Sequence, residues 1–281
     1  MSQAAVSSRV RRVDAAARFA ARAERLRALA YGHAAGDWLR LLARIAEGQR
    51  VAAREVHVPP ARAPDRGPPL DFAHLRRDAT WRRMLAVVLA AADAPDLPAE
   101  ARDAVRRLAG ADAPLLEGLA DRHLTATLPP DRLAAAPFVG AALQSWFGAL
   151  ADGLEPPAGA TSSGECPICG APPVAGVIDG TTRLRYLHCS LCGAEWNVLR
   201  LTCVRCRADG GLGYFHVEQD ESAKAEACSG CGGYVKLFDQ ERRAALEPVA
   251  DDAATLALDL LMAQEGYHRL GVSPYLAVAA D

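Results

Sequence analysis

The chain has 281 residues and a formal net charge of −2, with half of it hydrophobic and 23% charged. That length suits two modest domains, and the composition excludes disorder along the whole chain. No apolar run in the sequence approaches the roughly 20 residues that span a bilayer, so no stable membrane insertion is expected. The small net charge hides a division: residues 1–163 carry 22 basic and 18 acidic side chains, residues 164–281 carry 10 and 16.

The first stretch, M-S-Q-A-A-V-S-S-R-V-R-R-V-D, contains Arg11-Arg12 and has the look of an export signal. No apolar stretch follows it, because Asp14, Arg18, Arg22, Glu24 and Arg25 interrupt. It reads as the first turns of an amphipathic helix. Up to residue 154 the chain lacks cysteine and repeats apolar residues at helical spacing. Phe19, Leu26, Leu29 and Ala30 form one set, Trp38, Leu41, Leu42 and Ile45 another. A third segment runs from Asp71 to Ala92 with Trp81, Leu85, Val88 and Leu89 on one side. Proline pairs at 59–60, 68–69 and 129–130, with Pro95 and Pro98, separate the segments. Residues 1–154 are therefore expected to form an all-helical domain of about five to seven helices.

E-P-P-A-G-A-T-S-S-G, residues 155–164, has almost nothing to bury and reads as a linker. Short strands are expected beyond it. Val174–Ile178 and Leu184–Leu187 flank Asp179-Gly180, a hairpin-turn signal. Glu195–Leu201, Leu212–Val217, Ala223–Ala227 and Tyr234–Phe238 complete the set. From Pro248 to about Gly266 one helix is expected, with Val249, Ala253, Leu256, Leu260, Ala263 and Tyr267 in a stripe. Leu258, Leu261 and Met262 widen that stripe. Asp251 and Asp252 then suit the positive end of the helix, and Asp259 is read as exposed.

All eight cysteines fall in Cys-x-x-Cys pairs: Cys166/Cys169, Cys189/Cys192, Cys203/Cys206 and Cys228/Cys231. A secreted disulfide framework would show scattered spacings in a shorter chain, so a reducing cytoplasm is the expected compartment. Nineteen residues separate the first two pairs, 21 the last two and only ten the middle two. This spacing predicts one ion held by Cys166, Cys169, Cys189 and Cys192. A second ion falls to Cys203, Cys206, Cys228 and Cys231. Shifting the first half by 37 to 39 positions superposes its cysteines on the second, so two copies of one small fold are expected. Residues 165–202 and 203–246 are the two metal ribbons, and 247–281 the C-terminal helix and tail.

Glycine follows the second cysteine at Gly170, Gly193 and Gly232, where the turn needs positive φ; Arg207 takes that place in the third turn. Four sulfurs in a tetrahedron suit zinc or a single rubredoxin-like iron, and spacing alone does not choose. Cysteines fill every ligand position, which leaves no open site for catalysis and makes His188 a neighbour of a ligand. His33 reads as a capping or buried polar residue. Zinc ribbons often bind nucleic acid, but eight thiolates and two divalent ions take residues 164–281 from a formal −6 to −10. Phosphate binding wants the opposite sign, although Arg183, Arg185, Arg200, Arg205 and Arg207 offer a local basic patch. Thiol–disulfide exchange fits less well, because redox Cys-x-x-Cys motifs come singly at a helix start.

C-P-I-C-G-A-P-P-V-A-G-V-I and R-L-R-Y-L-H-C-S-L-C-G-A-E-W-N resemble the formate dehydrogenase accessory proteins of the FdhE family. So does A-D-D-A-A-T-L-A-L-D-L-L-M-A-Q-E-G-Y, and more thinly R-A-E-R-L-R-A-L-A-Y-G-H and P-P-L-D. Here G-V-S-P-Y-L stands where members more often read G-V-N-P-F. The resemblance implies a cytoplasmic, non-enzymatic factor that binds the catalytic subunit of formate dehydrogenase and supports its maturation before export. It also implies rubredoxin-like iron at the eight cysteines, which favours iron over zinc. A zinc-ribbon nucleic-acid binder is the alternative.

Overall fold

The computed structural model describes residues 10–60, 67–155, 164–217, 220 and 222–276. The greater part of the linker reading and the last five residues lie outside the described residues. Among the described residues six α-helices build the first half: α1 (Ala15–Ala30), α2 (Gly36–Glu55), α3 (Thr80–Ala92), α4 (Ala99–Ala109), α5 (Ala113–Leu124) and α6 (Ala136–Asp152). Asp14 caps α1 by accepting the Ala17 N–H at 2.9 Å, and Asp112 caps α5 through Leu115. The third helix is shorter than its periodicity predicts. Residues 72–74 turn at Asp71, residues 75–78 are irregular, and helix begins at Thr80, whose N–H bonds the Asp78 carboxylate.

Nearly every residue of α6 is buried, and α1, α2, α3 and α5 pack around it. With the preceding 3-10 turn (Pro130–Ala135) it makes one stretch, Pro130–Asp152, long and apolar enough to cross a membrane. No apolar run of that length is expected from the sequence, and this stretch departs from that expectation. Inside this protein 83% of its apolar window is buried, as expected for a core helix.

Strands of the second half, joined by Val10–Arg11 from the N-terminal segment, make one sheet among the described residues. These are β1 (Val10–Arg11), β2 (Pro173–Ile178), β3 (Arg185–Cys189), β4 (Glu195–Val198), β5 (Leu212–Phe215), β6 (Ala223–Cys228), β7 (Gly233–Asp239) and β8 (His268–Arg269). Their order is β1-β4-β3-β2-β7-β6-β5, with β8 beside β7. Each repeat supplies an antiparallel three-strand ribbon, β2-β3-β4 and β5-β6-β7. The first strand of one ribbon lies parallel to the last of the other, Gly176 opposite Leu237. A Cβ on Gly176 would lie 2.9 Å from the tip of the Leu237 side chain, so a larger residue there would make Leu237 shift.

Three local expectations change. Arg11 is not in a helix: it joins the sheet edge as β1, pairing with Glu195, while Arg12 donates to the Ala151 carbonyl. Asp179-Gly180 opens a longer turn, closed by the Asp179 N–H to the Leu184 carbonyl, with Thr181 and Thr182 donating to the Asp179 carboxylate. The terminal helix is two, α7 (Pro248–Ala254) and α8 (Leu256–Gln264), broken at Thr255. The Thr255 hydroxyl bonds the Asp251 and Asp252 carbonyls and competes with the helix for them. The break turns the second stripe, so Leu258 and Met262 are buried while Leu260 is 67% exposed. Through α7 the C-terminal segment packs between α1 and β2.

Candidate metal centres

Each cysteine pair sits in a tight turn at the end of a strand or just before one. In the first, Cys166 donates its N–H to Ala171 and accepts that of Gly170, at 3.0 and 2.8 Å. The third repeats the pattern from Cys203 to Ala208 and Arg207, and Gly232 bonds Cys228 likewise. Gly170, Gly193 and Gly232 have φ of 75°, 72° and 67°, as their position predicts. Arg207 adopts 66° there without being glycine. Backbone amides of Ile168, Leu191 and Cys192 point at sulfurs at 3.4 Å, the arrangement that stabilises thiolates.

These turns bring the eight cysteines together as two groups of four, the first and second pairs in one and the third and fourth in the other. Within each group the sulfurs lie within 4.8 Å of one another. Cys166–Cys192 and Cys169–Cys189 measure 3.6 and 3.4 Å; Cys203–Cys231 and Cys206–Cys228 measure 3.7 and 3.6 Å. A tetrahedral ion about 2.3 Å from each sulfur separates them by about 3.8 Å, so both groups fit such an ion. They are too far apart for disulfides, whose sulfurs stand about 2.05 Å apart. An ion of this kind would be held by four thiolates and no water, a closed coordination shell.

The groups differ in surroundings. All four sulfurs of the first are buried, beneath a loop whose Leu70 and Phe72 amides bond Ile168 and Cys169. In the second, Cys206 is exposed and Cys231 half-buried. Burial pushes the Cys166 and Cys169 thiols well up. Burial also opposes ionisation of Cys189, but thiol hydrogen bonds from Cys166, Cys169 and Cys192 outweigh it and bring that sulfur down. In the second group burial pushes Cys203 up to about 12; at Cys228 backbone and thiol donors overcome it and lower the value to about 7. A bound divalent ion would ionise all four sulfurs of a group.

His188 is a neighbour and not a ligand: its Nδ1 meets Glu195 at 3.1 Å. His33 accepts the Ala35 N–H at Nδ1 and donates from Nε2 to the Ala254 carbonyl, a capping role. Asp251 lies in the first turn of α7, where its carboxylate accepts the Glu247 N–H at 2.9 Å, and both aspartates are buried, Asp251 on Arg25 and Asp252 on Lys236 and Arg269. Asp259 is not free at the surface but accepts from Tyr234 at 2.7 Å and pairs with Lys236 at 2.6 Å. The proposed basic patch loses its middle, because Arg185 is buried on Glu226. One residue at the first group escaped sequence reading: Arg18, whose buried guanidinium lies against Gly193. Its i, i+4, i+7 spacing with Arg22 and Arg25 was the available signal.

Family models agree with this architecture from end to end. "FdhE, N-terminal" matches residues 7–162, "FdhE, central domain" 165–200 and "FdhE, C-terminal domain" 201–276. Protein FdhE of Escherichia coli is 37% identical over 270 residues, covering 91% of this chain and 86% of the relative. Protein FdhE of Escherichia fergusonii matches to the same extent. The crystal structure of the FdhE protein from Pseudomonas aeruginosa has a TM-score of 0.82 at 36% identity, covering 94% of this chain and 98% of that one. With its helical half, its paired four-cysteine ribbons and likeness along nearly its whole length, the chain belongs to the FdhE family.

Proposed function

We propose that this protein is a cytoplasmic accessory factor for formate dehydrogenase, binding its catalytic subunit during maturation and before export. Cys166, Cys169, Cys189 and Cys192 hold one metal ion; Cys203, Cys206, Cys228 and Cys231 hold another. Iron is preferred and zinc is the alternative. The observation that carries the reading is the closed pair of four-sulfur groups in a chain of the FdhE family. Sulfurs at every corner leave no position for substrate, which supports a non-enzymatic role. Iron in such a site exchanges one electron, whereas zinc holds the fold without redox chemistry.

The test is an anaerobic purification of the tagged full chain from its own organism, with metal analysis and a visible spectrum. About two irons per chain, thiolate-to-iron absorption bands and the dehydrogenase catalytic subunit in the eluate are expected. Two zincs and a colourless protein would overturn the choice of iron. No dehydrogenase subunit, together with salt-dependent retention of nucleic acid, would overturn the accessory role in favour of a nucleic-acid binder.

A further inference from the structure

Arg18, Arg22 and Arg25 step by four and three along α1 and line one face of that helix. Two of them meet carboxylates from the C-terminal segment. Arg22 reaches Glu247 at 3.0 Å, and Arg25 grips Asp251 at 2.6 and 3.0 Å. Arg18 reaches no carboxylate within ion-pair distance among the described residues, although it is only 6% exposed. Its Nη1 donates to the Val13 carbonyl at 3.0 Å. Nε and Nη2 are buried with no hydrogen-bond partner. A buried cation with two idle donors is costly to keep unless an anion faces it.

The guanidinium occupies a slot between two glycines. A Cβ on Gly148 of α6 would lie 2.7 Å from Nη2, and a Cβ on Gly193 would lie 2.4 Å from Nε and Cζ. Gly193 directly follows Cys192 in the first four-cysteine group. The groups around Arg18 are Arg22, which repels it, Asp152 and Glu247, which attract it, and the sulfur of Cys192. Asp152 is already engaged by the Ala15 N–H at 2.9 Å, and Glu247 by Arg22. A divalent ion in four thiolates carries a net charge of −2 and would supply the missing anion beside this slot.

We propose that Arg18 is the counter-cation of the first four-cysteine site, so that metal in that site and the docking of α1 stabilise each other. The inference rests on the reading that Cys166, Cys169, Cys189 and Cys192 hold an ion. At the second site water screens the exposed Cys206, and the glycine equivalent to Gly193, Gly232, faces the His268 ring in place of an arginine. Metal occupancy of the first site is thereby coupled to α1 through this side chain.

The full chain loaded with cobalt(II) and challenged with a chelator tests this. Wild type releases its metal in two phases, the slow one from the buried first site. Arg18→Met accelerates the slow phase by at least about tenfold and leaves the fast phase unchanged, whereas Arg18→Lys, keeping the charge, stays within about threefold. In the iron-loaded chain Arg18→Met lowers the reduction potential of one centre only, because the reduced site bears one more negative charge. Hydrogen exchange on wild type needs no variant: removing the metal deprotects residues 15–22 of α1 and spares α4. If wild type takes up no cobalt, the metal reading itself fails. If it takes up two ions, Arg18→Met matches wild type in both phases and α1 stays protected on metal removal, the role of Arg18 is overturned while the metal reading stands.

Discussion

Arg185 on β3 and Glu226 on β6 meet at 2.6 Å with 1% and 3% of their side chains exposed, joining the two ribbons from inside. Arg185 also donates to the carbonyl of Thr202, which leads into Cys203, and the Tyr214 hydroxyl donates to the other oxygen of Glu226. A charge so enclosed depends on its partner. Glu226→Ala should therefore cost about 3–5 kcal/mol, because it strands a buried guanidinium. Urea unfolding measures it; a loss under about 1 kcal/mol would show that water reaches Arg185.

Exposure separates the two sulfur groups chemically. Treated with limiting iodoacetamide and excess chelator, the chain should be modified first at Cys206 and Cys231, and last at Cys169 and Cys189. Peptide mass spectrometry over time reads the order. Equal rates at Cys206 and Cys169 would mean that the first site opens as freely as the second.

His123 gives the helical half an acid sensitivity. Burial lowers its imidazole to about 4, with Nδ1 buried and unpartnered among the described residues and Nε2 close to Gly140. An unfolded histidine takes its proton near pH 6.5, so the unfolded chain gains protons first as pH falls. Stability from this residue is intact above about 6.5 and declines between about 6.5 and 4, by at most about 3 kcal/mol. His123→Leu should flatten that part of a melting-temperature profile. An unchanged profile would place the acid sensitivity elsewhere.

Lys236 lies under the break between α7 and α8. Its ammonium is fully buried and touches Asp259 at 2.6 Å, the Asp252 and Thr255 carbonyls at 3.0 Å and the Thr255 hydroxyl at 3.1 Å. Replacing it by alanine leaves Asp252 buried with Arg269 as its remaining ion-pair partner among the described residues and should cost about 3–5 kcal/mol. Hydrogen exchange in α8 should rise with it. A Lys236→Ala chain with wild-type exchange there would show that the helix break holds without the ammonium.

The cysteine groups were legible because ligation constrains spacing within a turn, and spacing is written in the sequence. Helix periodicity was nearly as clear, since α1, α2 and α6 bury continuous stripes. What failed was decided by partners distant along the chain. Asp259 looked like a surface residue until Tyr234, Lys236 and Arg269 surrounded it. Arg11 looked helical, yet Glu195 and Asp179 hold it at 2.7 and 2.6 Å as part of a strand. The break at Thr255 was hidden because a threonine within an apolar period changes no periodicity, only the hydrogen bonds beneath it.

The parallel seam between β2 and β7 makes each ribbon the missing neighbour of its sister. On its far side the first ribbon is closed by two residues of the N-terminal segment, Val10 and Arg11. Severed from one another, the halves would each present a row of unused amide and carbonyl groups along a bare rim. The readiest cover for that rim is another copy of the same half. The repeat thus gives this architecture more than a second four-cysteine group: it supplies, within one chain, the match for the inner rim of each half.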